Sequence, residues 1–224
     1  MRTTRLLPLL PAMTLAVALA GCGDDAPYSD TATLYDIVTY EGSAHGVARF
    51  AMRASNDSPL LTFTATGVDV DPDIGEGDRM LLGYIPASGR PYTSGEVSVV
   101  STGAINNVPL KEDAIADIRW DADPIYLNSI WRTGCYINVY CRVSYSAKPR
   151  LLSIVADRET LGDPVPQLYL VHDLLGEPDS YTRRAYLSVD ISGVWQLEGC
   201  RGVTVHVADS NLPKTEYTFM KTDN

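Results

Sequence analysis

Histidine is scarce in this sequence, and the short motifs that mark common catalytic centres are missing. The 224 residues include three histidines, His45, His172 and His206. None of them stands at H-x-x-H or H-E-x-x-H spacing, which leaves no local zinc signature. There is no Gly-x-Ser-x-Gly elbow of a hydrolase and no glycine-rich loop that would cradle a phosphate. We therefore expect no catalytic centre, no cofactor and no metal site.

Positive charge is also in short supply. The sequence has 18 lysines and arginines against 28 aspartates and glutamates, a formal charge of −10. Residues 1–21 contain Arg2 and Arg5 and no acid. Their removal takes away two positive charges, so the formal charge changes from −10 to −12. A surface of this sign repels phosphate groups, which argues against a nucleic-acid partner.

No apolar run is long enough for a membrane-spanning helix, which needs about 20 residues. The apolar stretch Leu6–Ala18 follows Arg2 and Arg5, an order typical of a signal peptide. The stretch ends in Leu19-Ala20-Gly21-Cys22, which resembles the bacterial lipobox. A plain signal peptide followed by a chance cysteine is the alternative.

The lipobox resemblance implies cleavage before Cys22 and lipid on its thiol, because the thiolate is the nucleophile that accepts the lipid. Residues 1–21 are then the signal peptide, and residues 22–33 are a flexible tether. Asp24 and Asp25 resemble the surface-export signal of lipoproteins of the Bacteroidota. We expect an outer-membrane lipoprotein that faces either the periplasm or the cell surface.

Three cysteines remain once Cys22 is lipidated. Cys135 and Cys141 lie six residues apart in one predicted strand, which separates their Cα atoms by roughly 20 Å. A disulfide requires about 4.4–6.8 Å, so these two do not pair unless the strand turns between them. Either one can pair with Cys200, or all three are buried thiols.

Short strands dominate the rest of the chain, which predicts an all-β protein. The first half favours a small barrel over residues 34–112, and the second half favours a β-sandwich over residues 113–224. The predicted strands are Leu34–Tyr40, Gly46–Ala54, Leu60–Thr66, Arg79–Ile85, Glu96–Thr102, Ile125–Trp131, Cys135–Tyr145, Leu151–Ala156, Gln167–Asp173, Ala185–Ile191, Gly202–Val207 and Glu216–Met220.

Two groups of polar residues invite a chemical interpretation. The loop Asp69–Asp78 alternates acids that can ligate calcium, but its glycine and proline positions depart from an EF-hand, and a solvated loop is the alternative. His172 and Asp173, with Ser188 or Ser192, contain the residue types of a triad. Without an elbow motif, a strand end and turn is the preferred interpretation of His172-Asp173.

Tyrosine is abundant, and two tyrosines share one face of the clearest strand. Cys135–Tyr145 alternates apolar odd positions with polar even ones, which predicts one buried face and one wet face. Tyr136 and Tyr140 lie on the wet face, roughly 13 Å apart, with Asn138 between them. Such a face can stack a sugar, contact a protein, or simply be an ordinary sandwich surface.

Four short strings, in their order and spacing, resemble the NigD-like lipoproteins of the Bacteroidota. The strings are Gly77–Leu82, Asp123–Trp131, Leu170–Asp173 and Arg183–Ser192. The resemblance implies an OB-like β-barrel followed by an immunoglobulin-like β-sandwich, and it implies no known activity. The cysteines at Cys135 and Cys141 depart from what the family leads us to expect.

Together these features predict a membrane-anchored, non-catalytic module that binds an envelope protein or a toxin-like peptide. The alternative is an accessory carbohydrate-binding lipoprotein. The sequence leaves open the identity of the ligand or partner and the oligomeric state.

Replacement of Cys22 by serine tests the anchor. We expect Cys22→Ser to abolish palmitate labelling and to release the protein from the membrane fraction, because no other residue supplies the acyl-accepting thiol of the lipobox. Palmitate labelling that persists in Cys22→Ser would refute the anchor.

Overall fold

The computed structural model describes residues 32–145, 151–178 and 181–222. Its first five strands match the predicted ones closely and close into a barrel in the order β1-β2-β3-β5-β4. The strands are β1 (Leu34–Ala44), β2 (Val47–Arg53), β3 (Leu60–Thr66), β4 (Arg79–Pro86) and β5 (Gly95–Ala104). All neighbours pair antiparallel except β3 and β5, which pair in parallel over two residues.

The turn between β1 and β2 explains why a histidine and a glycine stand there. His45 and Gly46 are the two residues between the paired Ala44 and Val47, and both have positive φ angles of 52° and 76°. Two successive positive φ angles make the tight hairpin turn whose twist matches that of the strands. His45 is therefore an exposed turn residue.

The remaining strands form two sheets that pack face to face. The five-stranded sheet has the order β13-β12-β10-β9-β6, and the three-stranded sheet has the order β11-β8-β7. The strands are β6 (Lys111–Asp113), β7 (Tyr126–Thr133), β8 (Tyr136–Tyr145), β9 (Leu151–Asp157), β10 (Gln167–Asp173), β11 (Tyr181–Asp190), β12 (Gly202–Val207) and β13 (Glu216–Met220). The predicted fold class, a barrel followed by a sandwich, is confirmed.

Each part buries its own apolar core. The barrel core contains Phe50, Phe63 and Tyr84, whereas the sandwich core joins Val139 and Leu187 of one sheet to residues of the other. Because the two cores do not merge, the surface where barrel and sandwich meet is not held by a shared apolar interior.

Three features differ from the predicted elements. Strand β6 straddles the predicted boundary at residue 112 and pairs with β9, although all three of its residues are exposed and show no alternation. Strand β11 begins at Tyr181, four residues before its predicted start. A single helical turn, α1 (Ser192–Trp195), follows it, and two short 3-10 turns occur at Ile115–Asp117 and Arg158–Thr160.

The predicted division into domains at residues 112 and 113 stays a prediction, since residues 31–224 cluster as one compact unit by their contacts. No helix among the described residues has the length and apolar character needed to cross a bilayer.

Candidate functional site

The guanidinium of Arg79 joins the barrel to the outer face of the three-stranded sheet. Arg79 opens β4, and its Nε donates to the Ser188 hydroxyl at 3.2 Å while Nη2 donates to Asn138 Oδ1 at 3.4 Å. Within the barrel, Nη1 donates to the Thr39 hydroxyl and Nη2 to the Ile37 carbonyl. The side chains therefore bring two parts of the chain into one hydrogen-bonded network.

Arg79 keeps its charge in this buried position. Burial lowers the pKa of the guanidinium to about 10, against an opposing influence of Tyr136, so the group is still protonated at neutral pH. The Tyr136 ring covers it with a centroid 4.4 Å from the guanidinium carbon, a cation–π contact. No carboxylate of the described residues forms an ion pair with Arg79.

A second contact fixes the β2–β3 turn of the barrel to the sandwich. The Arg132 side chain is only 2% exposed. Its Nη1 donates to Asp57 Oδ1 at 2.8 Å, and its Nη2 donates to Asp57 Oδ2 at 2.5 Å. Hydrogen bonds from Arg132 hold the pKa of Asp57 below its usual value. The guanidinium carbon of Arg132 also lies over the ring of Trp195, 4.4 Å from its centroid. The Arg132–Asp57 ion pair therefore joins the sandwich to the barrel.

Two small cavities flank the Arg79–Tyr136 pair. One of about 280 Å³ is lined in part by Arg53, Cys135 and Asp190, and the other, of about 260 Å³, by Asn107 and again Asp190. Both include Arg79 and Tyr136 in their walls. They are parts of the same barrel–sandwich join.

The uncovered end of the same sheet face is aromatic and positively charged. We call it the outer-face patch, and it comprises Tyr126, Tyr140, Arg142, Arg184 and Tyr186. The rings of Tyr140 and Tyr186 stack with centroids 4.7 Å apart and planes 7° from parallel. Arg142 lies over the ring of Tyr126 at 5.1 Å, and both arginines are exposed. Among the surfaces of the described residues, this one presents the chemistry best suited to binding.

The alternation predicted for Cys135–Tyr145 is confirmed on one face only. Ile137 and Val139 are fully buried, as expected. The expectation of a wet opposite face is wrong for Asn138, which is 0% exposed because Arg79 covers it. Tyr136 is half-buried beneath the same arginine, and of these three residues Tyr140 alone belongs to the uncovered patch. The predicted sugar platform of Tyr136, Asn138 and Tyr140 is therefore not assembled.

The candidate triad is not assembled either. His172 is buried, and its Nδ1 lies 3.0 Å from the Asp123 carbonyl, so Nδ1 carries the proton and donates it. His172 shares a face of β10 with the core residue Leu170, and Ser188 points from β11 to the barrel side. The Asp173 carboxylate accepts the Leu175 amide, which agrees with the predicted strand end and turn.

The acidic loop Asp69–Asp78 is organised by its own backbone. The carboxylate of Asp71 accepts the Asp73 amide, and that of Asp78 accepts the Gly75 amide. Ile74 packs into the barrel core, so the loop closes one part of the barrel. Within the described ranges no three acidic, histidine or cysteine side chains converge as a metal site does.

Cys135, Cys141 and Cys200 are free thiols in the part of the chain that the structure describes. Cys141 and Cys200 are buried, and burial raises the pKa of the Cys141 thiol to about 12. Cys135 is half-exposed, so the expectation of three buried thiols is wrong for this residue. The predicted lipidation site, Cys22, lies outside the described residues, as do most of the tether and the signal peptide.

An aromatic cluster on the five-stranded sheet escaped sequence analysis. Trp120 packs its edge against Tyr169 at 5.2 Å, and Tyr169 stacks on His206 at 4.4 Å. His206 Nε2 lies 2.7 Å from Gln167 Oε1, and burial lowers the pKa of its ring although Glu216 opposes this. Trp120 stands in an irregular segment with no alternation, so no local pattern linked it to these residues.

No protein-family model matches the chain, and no curated protein matches it. Solved structures do share its fold. A protein of unknown function from Bacteroides vulgatus ATCC 8482 is 13% identical, with 86% of this chain and 92% of that chain covered and a TM-score of 0.64. A NigD-like immunity protein from Bacteroides caccae ATCC 43185 is 19% identical, with 83% and 91% covered and a TM-score of 0.55.

A third similar structure is a proposed lipoprotein from Bacteroides fragilis NCTC 9343. It is 10% identical, covers 86% of this chain over its whole length, and has a TM-score of 0.57. Identities this low show a shared fold alone. The resemblance to NigD-like proteins drawn from the sequence is thereby confirmed for the fold.

The exposure of the thiols gives a direct test of the cysteine assignment. In a Cys22→Ser background, we expect Ellman's reagent to modify one thiol quickly in the native protein and three in denaturant, because buried thiols do not reach the reagent. Cys135→Ser should remove the fast phase, whereas Cys141→Ser should keep it. Fewer than three reactive thiols in denaturant would instead indicate a disulfide.

Proposed function

We propose that this protein is a non-catalytic protein-binding module, held on the outer membrane by lipid on Cys22. The outer-face patch is the observation that carries the binding role. Tyrosine and arginine are enriched at protein interfaces because each combines a large contact area with directional hydrogen bonding. An envelope protein or a toxin-like peptide is the expected partner.

The non-catalytic part of the proposal is supported by how the reactive side chains are used. The Ser188 hydroxyl accepts from Arg79 and donates to Asn138. The His172 ring donates to a backbone carbonyl, and the Cys141 thiol is buried with a raised pKa. All three groups are buried, and their contacts are with other residues of the protein.

Two observations support the lipid anchor. The lipobox resemblance at Cys22 supports the anchor, and a structurally similar protein is itself a proposed lipoprotein. The predicted tether, residues 22–33, spans at most roughly 40 Å when fully extended.

A carbohydrate-binding role is the second candidate, and the Trp120 cluster favours it. Tryptophan and tyrosine rings can stack on sugars, and the exposed Glu216 carboxylate lies beside His206 at the same cluster, where it can accept hydrogen bonds. This cluster replaces Tyr136 and Asn138 as the surface that a glycan would use.

The test is capture of the partner from the native envelope. We expect the lipidated protein, after mild crosslinking, to retain one abundant protein identified by mass spectrometry. Tyr140→Ala combined with Tyr186→Ala should lose that partner because the stacked pair forms the middle of the patch. Tyr92→Ala is the matched control, since Tyr92 is 49% exposed and lies in the barrel.

Capture of lipid and export machinery alone would contradict the protein-binding role. A glycan-array signal that Trp120→Ala abolishes would then favour the second candidate. Turnover in a hydrolase panel that His172→Ala removes would overturn the non-catalytic proposal.

A further inference from the structure

The register of the three-stranded sheet sets two arginines side by side. Arg184 of β11 is the direct cross-strand partner of Arg142 of β8, and Tyr186 is the partner of Tyr140. Tyr126 of β7 is paired with Arg142 from the other side. Directly opposed residues have Cβ atoms about 4.5–5.5 Å apart and point to the same face. The two guanidinium groups therefore project together from one small area.

Among the described residues, this pair of like charges has no acidic partner. Like charges directly opposite on a sheet are destabilising. The chain has 28 acidic residues, yet neither Arg142 nor Arg184 forms an ion pair with a residue that the structure describes. An arrangement that is unfavourable within the chain becomes favourable when an anion lies across both guanidinium groups.

The floor of the patch is ordered before any partner arrives. The stacked rings of Tyr140 and Tyr186 support each other, and β8 is paired with β11 along its length and with β7 from Tyr136 to Arg142. A surface that needs little rearrangement loses less conformational entropy on binding. The long arginine side chains supply the adaptable part.

The net charge of the protein and the stacking of the tyrosines distinguish between three kinds of partner: a bilayer, a sugar and a peptide segment. An anionic bilayer is disfavoured because the protein without residues 1–21 carries a formal charge of −12, from −10 for the full sequence less the two arginines removed. A sugar ring is disfavoured because the stack of Tyr140 and Tyr186 occupies one face of each ring. A short segment senses chiefly the charges within a Debye length of about 8 Å, where the arginines dominate.

From these observations we infer that the outer-face patch binds an extended acidic peptide segment of the partner. Its carboxylates pair with Arg142 and Arg184, and its apolar side chains contact the edges of Tyr126, Tyr140 and Tyr186. The inference rests on the proposed protein-binding function and names the chemistry of the partner at that same surface.

The experiment uses a fluorescent peptide of about eight residues that repeats the order glutamate, serine, leucine, serine, so that its glutamates and leucines share one side when extended. Fluorescence anisotropy at low salt should detect binding to the full chain. We expect Arg142→Gln combined with Arg184→Gln to weaken binding at least tenfold. Higher salt should weaken the wild-type interaction, because screening acts on exposed charges.

Arg49→Gln combined with Arg90→Gln is the matched control, because it removes the same charge from two exposed barrel positions. Binding within twofold of the wild type is expected for this control. An equal loss in both double variants would overturn the inference, and so would a wild type that does not bind the peptide. Stronger arginine-dependent binding of polygalacturonate or phosphatidylglycerol vesicles would also overturn it, in favour of a glycan or a lipid.

A photocrosslinking amino acid at position 140 separates this inference from the proposed function. If the peptide fails to bind but the envelope partner still crosslinks at position 140 and not at position 92, the binding module stands and the acidic segment is wrong. If neither the peptide nor a protein is found, both proposals fail.

Discussion

The charge of Arg79 lies in the join between barrel and sandwich, and no carboxylate of the described residues neutralises it. Taking a cation out of water is costly unless hydrogen bonds replace its hydration. Here Thr39, Ile37, Asn138 and Ser188 receive its donors, and the Tyr136 ring covers its face. Because all these partners are needed at once, few relative placements of barrel and sandwich satisfy the guanidinium.

The rest of the structure follows from that constraint. The two apolar cores are separate, so polar contacts fix where the barrel sits. They are those of Arg79, the pair of Arg132 with Asp57, and the backbone hydrogen bonds of Asn56 to Arg132 and Gly134. The barrel covers Asn138 and Ser188 at one end of the sheet and leaves Tyr140 and Arg142 uncovered at the other. The outer-face patch is thus the part of one continuous sheet face that the barrel does not reach.

Local patterns were enough to predict most strands, because β-branched and aromatic residues recur in short runs bounded by turn residues. The barrel strand Leu60–Thr66 and the sandwich strand Gly202–Val207 have the predicted bounds. Strand β6 could not be predicted, because its residues are all exposed and its pairing with β9 is decided by tertiary contacts.

The site was less accessible to sequence reasoning for a related reason. Arg79 and Ser188 both fall in the strings that resemble NigD-like proteins, but they are 109 residues apart and nothing local indicates that they meet. The even positions of Cys135–Tyr145 look alike in sequence. Only the position of the barrel separates buried Asn138 from the half-exposed Tyr140.

Native-state hydrogen exchange tests the central claim most directly, namely that Arg79 makes barrel and sandwich one cooperative unit. We expect the slowest amides of β4 and β8 to open with the same free energy in the wild type. In Arg79→Met the two values should separate by about 2 kcal/mol, because buried acceptors lose their donor. Different opening free energies for β4 and β8 in the wild type would contradict it.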